Sequence, residues 1–286
     1  MKKAVLYEVK GRVAHITLNR PERLNAINND LRIQLQESVA QANRDDRVHV
    51  IVLSGAGRAF CSGYDLRIFA EGKGEYDAVQ QTMPWDPIVD YQMMDQFTQS
   101  FLSLWRSYKP VICKIQGYAV AGGSDIALCC DLVVMAEDAK IGYPPARVWG
   151  CPTTFMWVYR VGAEKAKRML LTGDLINGKE AEKMGLVSAA VPASELDATV
   201  EKLAQRISSV PKNQLIMQKL VINSAYENMG MRTTQTMATL MDGIARHSPE
   251  GVGFKERAEQ VGFKQAVIER DSGRPITFMA KTKANL

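Results

Sequence analysis

The 286-residue chain carries 36 Lys and Arg against 31 Asp and Glu, for a net charge of +5, and 46% of its residues are hydrophobic. That balance describes a folded protein with one large core and excludes intrinsic disorder, which needs far fewer apolar residues. The cationic excess is diffuse, with no Lys/Arg run interleaved with aromatics. It excludes a nucleic-acid binder and is read as a mixed solvated surface with a modest attraction for phosphorylated ligands.

The five cysteines (Cys61, Cys113, Cys129, Cys130, Cys151) show no CxxC spacing and no nearby histidine. They read as reduced thiols and offer no metal site. Met1-Lys2-Lys3 is followed by an alternating segment rather than an apolar signal region. The apolar stretches fall short of the roughly 18 residues that span a bilayer. The expectation is a metal-free cytoplasmic protein without membrane attachment.

In chain order, residues 4–10 and 12–19 alternate apolar and polar around Gly11 and predict an antiparallel hairpin. Asn28-Asn29-Asp30 caps a predicted helix whose Leu31, Leu35, Val39 and Ala42 recur at helical spacing. Residues 48–53 form a branched apolar run, a buried strand, which ends in the Ser54–Gly57 loop. A second cycle follows: a helix over 95–108 stopped by Lys109-Pro110, a strand over 111–115, a loop over 117–123, a helix over 124–130 and a strand over 132–136. This alternation predicts an α/β fold with crossover connections. From about Pro192 strand signals stop, and residues 193–208, 212–229, 231–247 and 250–260 read as successive helices. The division expected is a core over 1–191 and a helical region over 192–286, which covers the substrate or makes subunit contacts. Residues 71–94, with Gly72, Gly74, Pro84 and Pro87, lack periodicity and are read as a long loop, either a partly ordered lid around Trp85 and Tyr91 or a floppy insertion.

Two glycine-bearing loops carry the chemistry. Both GRAFCSGYDL (57–66) and QGYAVAGGSD (116–125) follow buried strands. Glycines where a strand gives way to a helix let the backbone approach a ligand closely, and the first N–H groups of the helix have no intrahelical partner. If the loops lie at the same ends of neighbouring strands, one N–H from each converges on a single oxygen and favours an anion over the neutral carbonyl.

AFCSGYDL (59–66) and GYAVAGGSDIALCCDLVVMAEDAKIGYP (117–144) resemble the two signature blocks of the crotonase (enoyl-CoA hydratase/isomerase) superfamily. ITLNRPERLNAIN (16–28) and LLTGDLINGKEAEKMGLVSAAVP (170–192) extend the resemblance, which runs from about residue 4 to about residue 260. It implies a crotonase-like spiral of ββα units with a helical C-terminal region, assembled as a homotrimer or dimer of trimers. It implies an acyl-CoA thioester as substrate, with no cofactor beyond the CoA that the substrate carries. Ser62 and Gly122 N–H groups are the implied oxyanion hole. Arg23 matches a basic position near the CoA phosphates, and the loop Ser62-Gly63-Tyr64-Asp65-Leu66 passes the adenine. Phe254 and Arg257 resemble a C-terminal pair that closes on CoA, often from a neighbouring subunit. Arg23 and Arg257 are equally well read as surface cations.

The hydratases of this family carry one Glu on the helix after the glycines and a second 20 residues later. Here the first position is Asp125 and the second is Pro145, which has no proton to give. Asp125 lies in the first helical turn, where the helix dipole favours its anion, and is expected to be the principal base. Candidates for the missing acid are Tyr143, Arg147 and Cys151, with Asp86 or Tyr91 from the 71–94 stretch. His15, His49 and His247 fall outside the signature blocks and are read as structural. The function expected is an enoyl-CoA hydratase-like lyase or isomerase that stabilises a thioester enolate. A hydrolase of an oxo-acyl-CoA, with Tyr143, Arg147 and Trp149 shaping a bulky site, or a non-catalytic acyl-CoA binder stand as alternatives.

Overall fold

The structure, a computed structural model, describes residues 3–71 and 84–278. The predicted hairpin is present: β1 (Val5–Lys10) and β2 (Val13–Leu18) pair antiparallel from Val5–Leu18 to Lys10–Val13. In α1 (Asn29–Arg44) the Asn28 side chain accepts the Leu31 N–H, and Leu31, Leu35, Val39 and Ala42 are all buried. Each leucine of that stripe contributes about 2 kcal/mol by leaving water.

The chain then winds as a spiral. β3 (Val50–Gly55) is followed by a one-residue bridge at Cys61, by the single turn α2 (Leu66–Phe69) and by α3 (Pro87–Trp105). The next turn is β4 (Val111–Ile115), β5 (Tyr118–Val120) and α4 (Gly122–Leu128). The third is β6 (Leu132–Ala136), β7 (Lys140–Gly142) and α5 (Met156–Thr172), which breaks at Gly162. After β8 (Leu175–Asn177), α6 (Gly178–Met184) and β9 (Ala189–Val191), four of the last five helices follow the bounds read from sequence to within three residues: α7 (Leu196–Ser208), α8 (Lys212–Asn228), α9 (Met231–His247) and α10 (Pro249–Val261). The fifth, α11 (Phe263–Asp271), is short and polar and carries no periodic signal.

Each turn of the spiral gives one strand to a six-stranded sheet, in the order β1-β2-β3-β4-β6-β9, parallel from β2 onward. The second strands collect in a small sheet, β5-β7-β8, which Cys61 joins through its bridge to Ala119. This is an α/β spiral of ββα units with a helical C-terminal region, as the resemblance implied. α7 packs on β3, β4 and β6 and sends Leu196, Val200 and Ala204 into the main core, so the helical region begins as part of the core layer. A smaller apolar cluster joins Ala70, Val148, Trp149, Phe254, Ala258 and Ala266. No helix among the described residues is long and apolar enough to cross a membrane.

Residues 87–94 correct the loop reading. They form the first two turns of α3: Pro87 sits at N1, where its missing N–H costs nothing, and Asp86 Oδ1 accepts the N–H groups of Ile88 (2.9 Å) and Val89 (3.2 Å). Periodicity fails there because Ile88 and Val89 are 61% and 57% exposed. The rest of the proposed lid, 72–83, lies outside the described residues. The 117–123 loop likewise contains β5, too short to register as a strand signal.

Candidate active site

The parallel bridge between Cys61 and Ala119 sets the two glycine loops side by side. Cys61 N–H donates to Tyr118 O at 2.8 Å, and Val120 N–H donates to Cys61 O at 3.0 Å. Gly63 has φ 94°, and a Cβ there would stand 2.9 Å from Ala121 Cβ and 3.5 Å from Gly122 N. Only glycine lets the loops approach this closely. Gly122 opens α4, and a Cβ on it would meet Ile27 Cδ1 and Tyr64 Cε2, each at 2.8 Å. Ala121, before it, is held at φ 53° and ψ −126°, a conformation costing about 1–2 kcal/mol for a residue with a Cβ. Hydrogen bonds from Ala121 N–H to Gly142 O (3.0 Å) and from Ser124 N–H to Ala121 O (2.8 Å) keep it there.

The Ser62 N–H points the wrong way for the role its position suggested. It donates to Leu24 O at 3.0 Å, while Ile27 N–H and Asp65 N–H pair with Gly63 O and Ile27 O. Among the described residues, the Tyr64 and Gly122 N–H groups have no acceptor. Tyr64 and Gly122 thus each offer a backbone donor on these loops. Strand-like pairing of residue 27 with residue 64 decides which N–H groups of the loop are engaged, and nothing local in the sequence reports it.

Asn25, passed over in the sequence, braces the first loop. It is fully buried at φ 55°, and its Nδ2 donates to Ala56 O and Ala59 O, both at 2.9 Å, while Oδ1 accepts the Arg20 N–H at 2.8 Å. The signal available was residue type, since Asn tolerates the left-handed region that most residues avoid. Arg20 Nη2 donates to Asp65 Oδ2 at 2.9 Å, so the Asp65 carboxylate holds its own loop.

A cavity of about 660 Å³ opens beside these loops. Ser62, Tyr64, Asp65, Leu66 and Ala121 form part of its wall, as do the exposed cations Arg23, Arg58, Arg67 and Lys264. Its apolar lining includes Phe69, Met93, Met94, Phe263 and Val267. Another section of wall is built from Tyr143, Pro144, Pro145, Trp149, Asp242 and Arg246.

Of the two groups expected to move protons, Tyr143 lines the cavity and Asp125 is not among its walls. Asp125 is 1% exposed and accepts the Thr154 hydroxyl on Oδ1 at 2.5 Å. Burial pushes its carboxyl up from 3.8 to about 7, against that hydrogen bond. Burial also raises the Tyr64 and Tyr143 phenols well above their usual range, with the Asp125 and Asp242 charges adding to it. Asp242, on α9, was not anticipated, because an Asp four residues before Arg246 in an amphipathic helix reads as a surface pair. It is 4% exposed and raised by burial in spite of Arg246, whose Nε donates to Asp242 Oδ2 at 3.0 Å. Asp242 Oδ1 accepts the Cys151 N–H at 2.9 Å.

The other candidates are used elsewhere. Arg147 clamps the C-terminal tail, donating to Arg270 O (2.7 Å), Arg274 O (3.0 Å) and Thr172 O (3.3 Å). Burial pushes the Cys151 thiol up to about 12, which keeps it protonated. Asp86 caps α3, and Tyr91 faces a different, polar cavity with Asp95 and Arg232. His49 contacts Val210 O and His247 stacks on Trp85 at 4.5 Å. Gly63 shapes the loop without lining the cavity. Neither Phe254 nor Arg257 reaches the cavity of its own chain. Phe254 is fully buried against Trp149, and Arg257 forks onto Glu269 at 2.8 and 2.9 Å. Phe263 and Lys264, at the start of α11, take the wall instead.

The sequence model of the enoyl-CoA hydratase/isomerase family matches residues 8–265. The crystal structure of an enoyl-CoA hydratase from Mycobacterium smegmatis superposes with a TM-score of 0.89 at 48% identity, covering 98% of this chain and 97% of that one. A probable mitochondrial enoyl-CoA hydratase from Dictyostelium discoideum is 33% identical over 77% of this chain and 75% of its own length. A 1,2-epoxyphenylacetyl-CoA isomerase from Escherichia coli K12 is 31% identical over 90% of this chain and 94% of its own. With its ββα spiral, its paired glycine loops and a family match over nearly its whole length, the chain belongs to the enoyl-CoA hydratase/isomerase family of the crotonase superfamily.

Proposed function

We propose that this enzyme shifts or hydrates the double bond of an enoyl-CoA through a thioester enolate held by the Tyr64 and Gly122 N–H groups. The observation that carries the reading is that these two donors, without acceptors among the described residues, lie on bridged loops whose Tyr64 and Ala121 line the cavity of about 660 Å³. Two fixed dipoles there bind an enolate oxygen more strongly than a neutral carbonyl, and that difference lowers the barrier. Arg23, Arg58, Arg67 and Lys264 suit the phosphates of CoA, and the Phe69, Met93 and Met94 lining suits its apolar cargo. Trp149 and Tyr143 leave the acyl end broad and aromatic, in keeping with the ring-bearing substrate in the name of the Escherichia coli relative. Asp125 lies beyond the wall, buried and bonded to Thr154.

The test is mass-spectrometric turnover of crotonyl-CoA, 3-hexenoyl-CoA and a phenyl-substituted enoyl-CoA in D2O, together with deuterium uptake at the α-carbon of butyryl-CoA. Enolate formation predicts uptake by the wild-type protein. Tight binding of all four esters with neither uptake nor turnover would leave an acyl-CoA binder, and release of free acid would point to the hydrolase.

A further inference from the structure

Asp242 stands apart from the other carboxyls on the cavity wall. Asp65 is tied to Arg20 and Asp271 to Arg270. Glu22 lies exposed beside the mouth cation Arg23. Asp242 is buried, and it lines the same cavity. A Cβ placed on Gly150 would stand 3.0 Å from Pro145 Cβ, 3.4 Å from Asp242 Oδ1 and 3.5 Å from the Tyr143 hydroxyl, so these groups share one corner. Among the described residues each Asp242 oxygen accepts one hydrogen bond, from Cys151 N–H or Arg246 Nε, and a carboxylate oxygen has capacity for a second. Arg246 is itself divided: its Nη2 donates to both oxygens of Asp90, at 2.8 and 2.9 Å. Among the described residues Asp242 and Asp90 thus share the Arg246 guanidinium in a buried cluster, and carboxylate charge held out of water favours taking up a proton.

Resting on the enolate reading above, we propose that Asp242 is the catalytic acid–base that meets the acyl chain, supplied by α9 at the corner where Pro145 carries no carboxyl. For double-bond migration in a 3-enoyl-CoA, the Asp242 carboxylate takes a proton from the α-carbon. The C–H electron pair moves into the thioester, giving the enolate at the Tyr64 and Gly122 N–H groups. Collapse of the enolate forms the α,β double bond, the former double-bond electrons take the same proton at the γ-carbon, and Asp242 is again a carboxylate. The Tyr143 hydroxyl shares the corner and positions the acyl chain.

The experiment compares wild type with Asp242→Asn, Asp242→Glu and Asp90→Asn for conversion of 3-hexenoyl-CoA, for deuterium uptake into butyryl-CoA, and for the Kd of both esters. Asp242→Asn keeps the shape and leaves Arg246 paired with Asp90. It is expected to lose at least about 100-fold in kcat and in α-exchange with Kd within about threefold of wild type. Asp242→Glu keeps the charge but moves the carboxyl by one methylene and is expected to recover part of the loss. Asp90→Asn disturbs the same ion pair without touching the cavity and is expected to stay within about tenfold of wild type. A loss below about tenfold in Asp242→Asn, or equal losses in Asp242→Asn and Asp90→Asn, would overturn the assignment while leaving the enolate reading intact. Should Asp242→Asn not fold, an Asp242→Glu variant with unchanged kcat overturns it. A wild type that binds both esters but neither converts nor exchanges them overturns the enolate reading, and this assignment with it.

Discussion

The Thr154 hydroxyl donates to Asp125 Oδ1 at 2.5 Å and joins the segment before α5 to the helix that opens at Gly122. Asp125 Oδ2, equally buried, has no partner among the described residues. Hydrogen bonding from Thr154 does not offset the loss of water around the carboxylate, and burial pushes the group up to about 7 from 3.8.

That displacement fixes a pH dependence. Below 3.8 the carboxyl is protonated in both folded and unfolded chains, and its contribution to stability is fully present. Between 3.8 and about 7 the unfolded chain ionises while the folded one holds its proton, so stability falls as pH rises, by up to about 1.4 kcal/mol per unit. Above about 7 the folded group is ionised too and the loss is complete. Urea denaturation at pH 5 and pH 8 is expected to show this loss in wild type and a smaller one in Asp125→Asn. Parallel curves for the two proteins would mean that Asp125 ionises normally.

Gly122→Ala tests the donor loop. The added methyl would meet Ile27 Cδ1 and the Tyr64 ring at 2.8 Å, so Tyr64 must shift and the two free N–H groups part. Overpacking of this kind costs about 1–3 kcal/mol in stability. Turnover is expected to fall by at least about 100-fold, the scale of losing an oxyanion donor, with acyl-CoA still bound. Wild-type kcat in this variant would remove Gly122 from the mechanism.

Asn25 offers a graded comparison. Asn25→Ala removes three hydrogen bonds in a fully buried site and leaves a β-carbon at φ 55°, for an expected loss of about 3 kcal/mol. Asn25→Gly loses the same bonds but relieves the backbone, so it is expected to be more stable than Asn25→Ala by about 1 kcal/mol. Thermal melts order the three proteins. Equal stability of Gly and Ala would deny the backbone part.

The exposed cations of the cavity wall predict a division between KM and kcat. Arg67→Ala and Lys264→Ala, both exposed on the cavity wall, are each expected to raise KM for a CoA ester about fivefold, near 1 kcal/mol, with kcat unchanged. The same substitutions are expected to leave KM unaltered for the matching pantetheine ester, which lacks the nucleotide phosphates. Added salt is expected to raise KM for the CoA ester alone. A shift of both esters together would place the cations elsewhere on the substrate.

The alternation of strands and helices was legible in the sequence because the strands are buried on both faces and read as branched apolar runs, as in residues 50–55 and 111–115, whereas the spiral came only from the resemblance to the family. The C-terminal helices were legible because Pro, Gly and Ser punctuate them: Ser248 caps α10, and Gly230 at φ 81° precedes α9. The start of α3 was hidden since Pro87 signals a break in a sequence but suits a first helical turn, and α11 was hidden because nine residues with a polar face have no period to show.

At the site, the amino-acid sequence by itself determined which two loops matter, through Gly63, Gly122 and the motifs around them. It also determined that Pro145 supplies no carboxyl. Only the tertiary structure decided which N–H groups are engaged, because the bridges of Ile27 to Tyr64 and of Cys61 to Ala119 turn Ser62 toward Leu24 and leave the Tyr64 N–H without an acceptor among the described residues. Only the tertiary structure placed Asp242 beside Pro145, nearly a hundred positions away in the chain. Local signals such as glycine, caps and apolar periods act over a few residues and are written in the chain. The direction of a backbone dipole and the company of a buried carboxylate depend on distant strands and helices packing together, and no local signal records them.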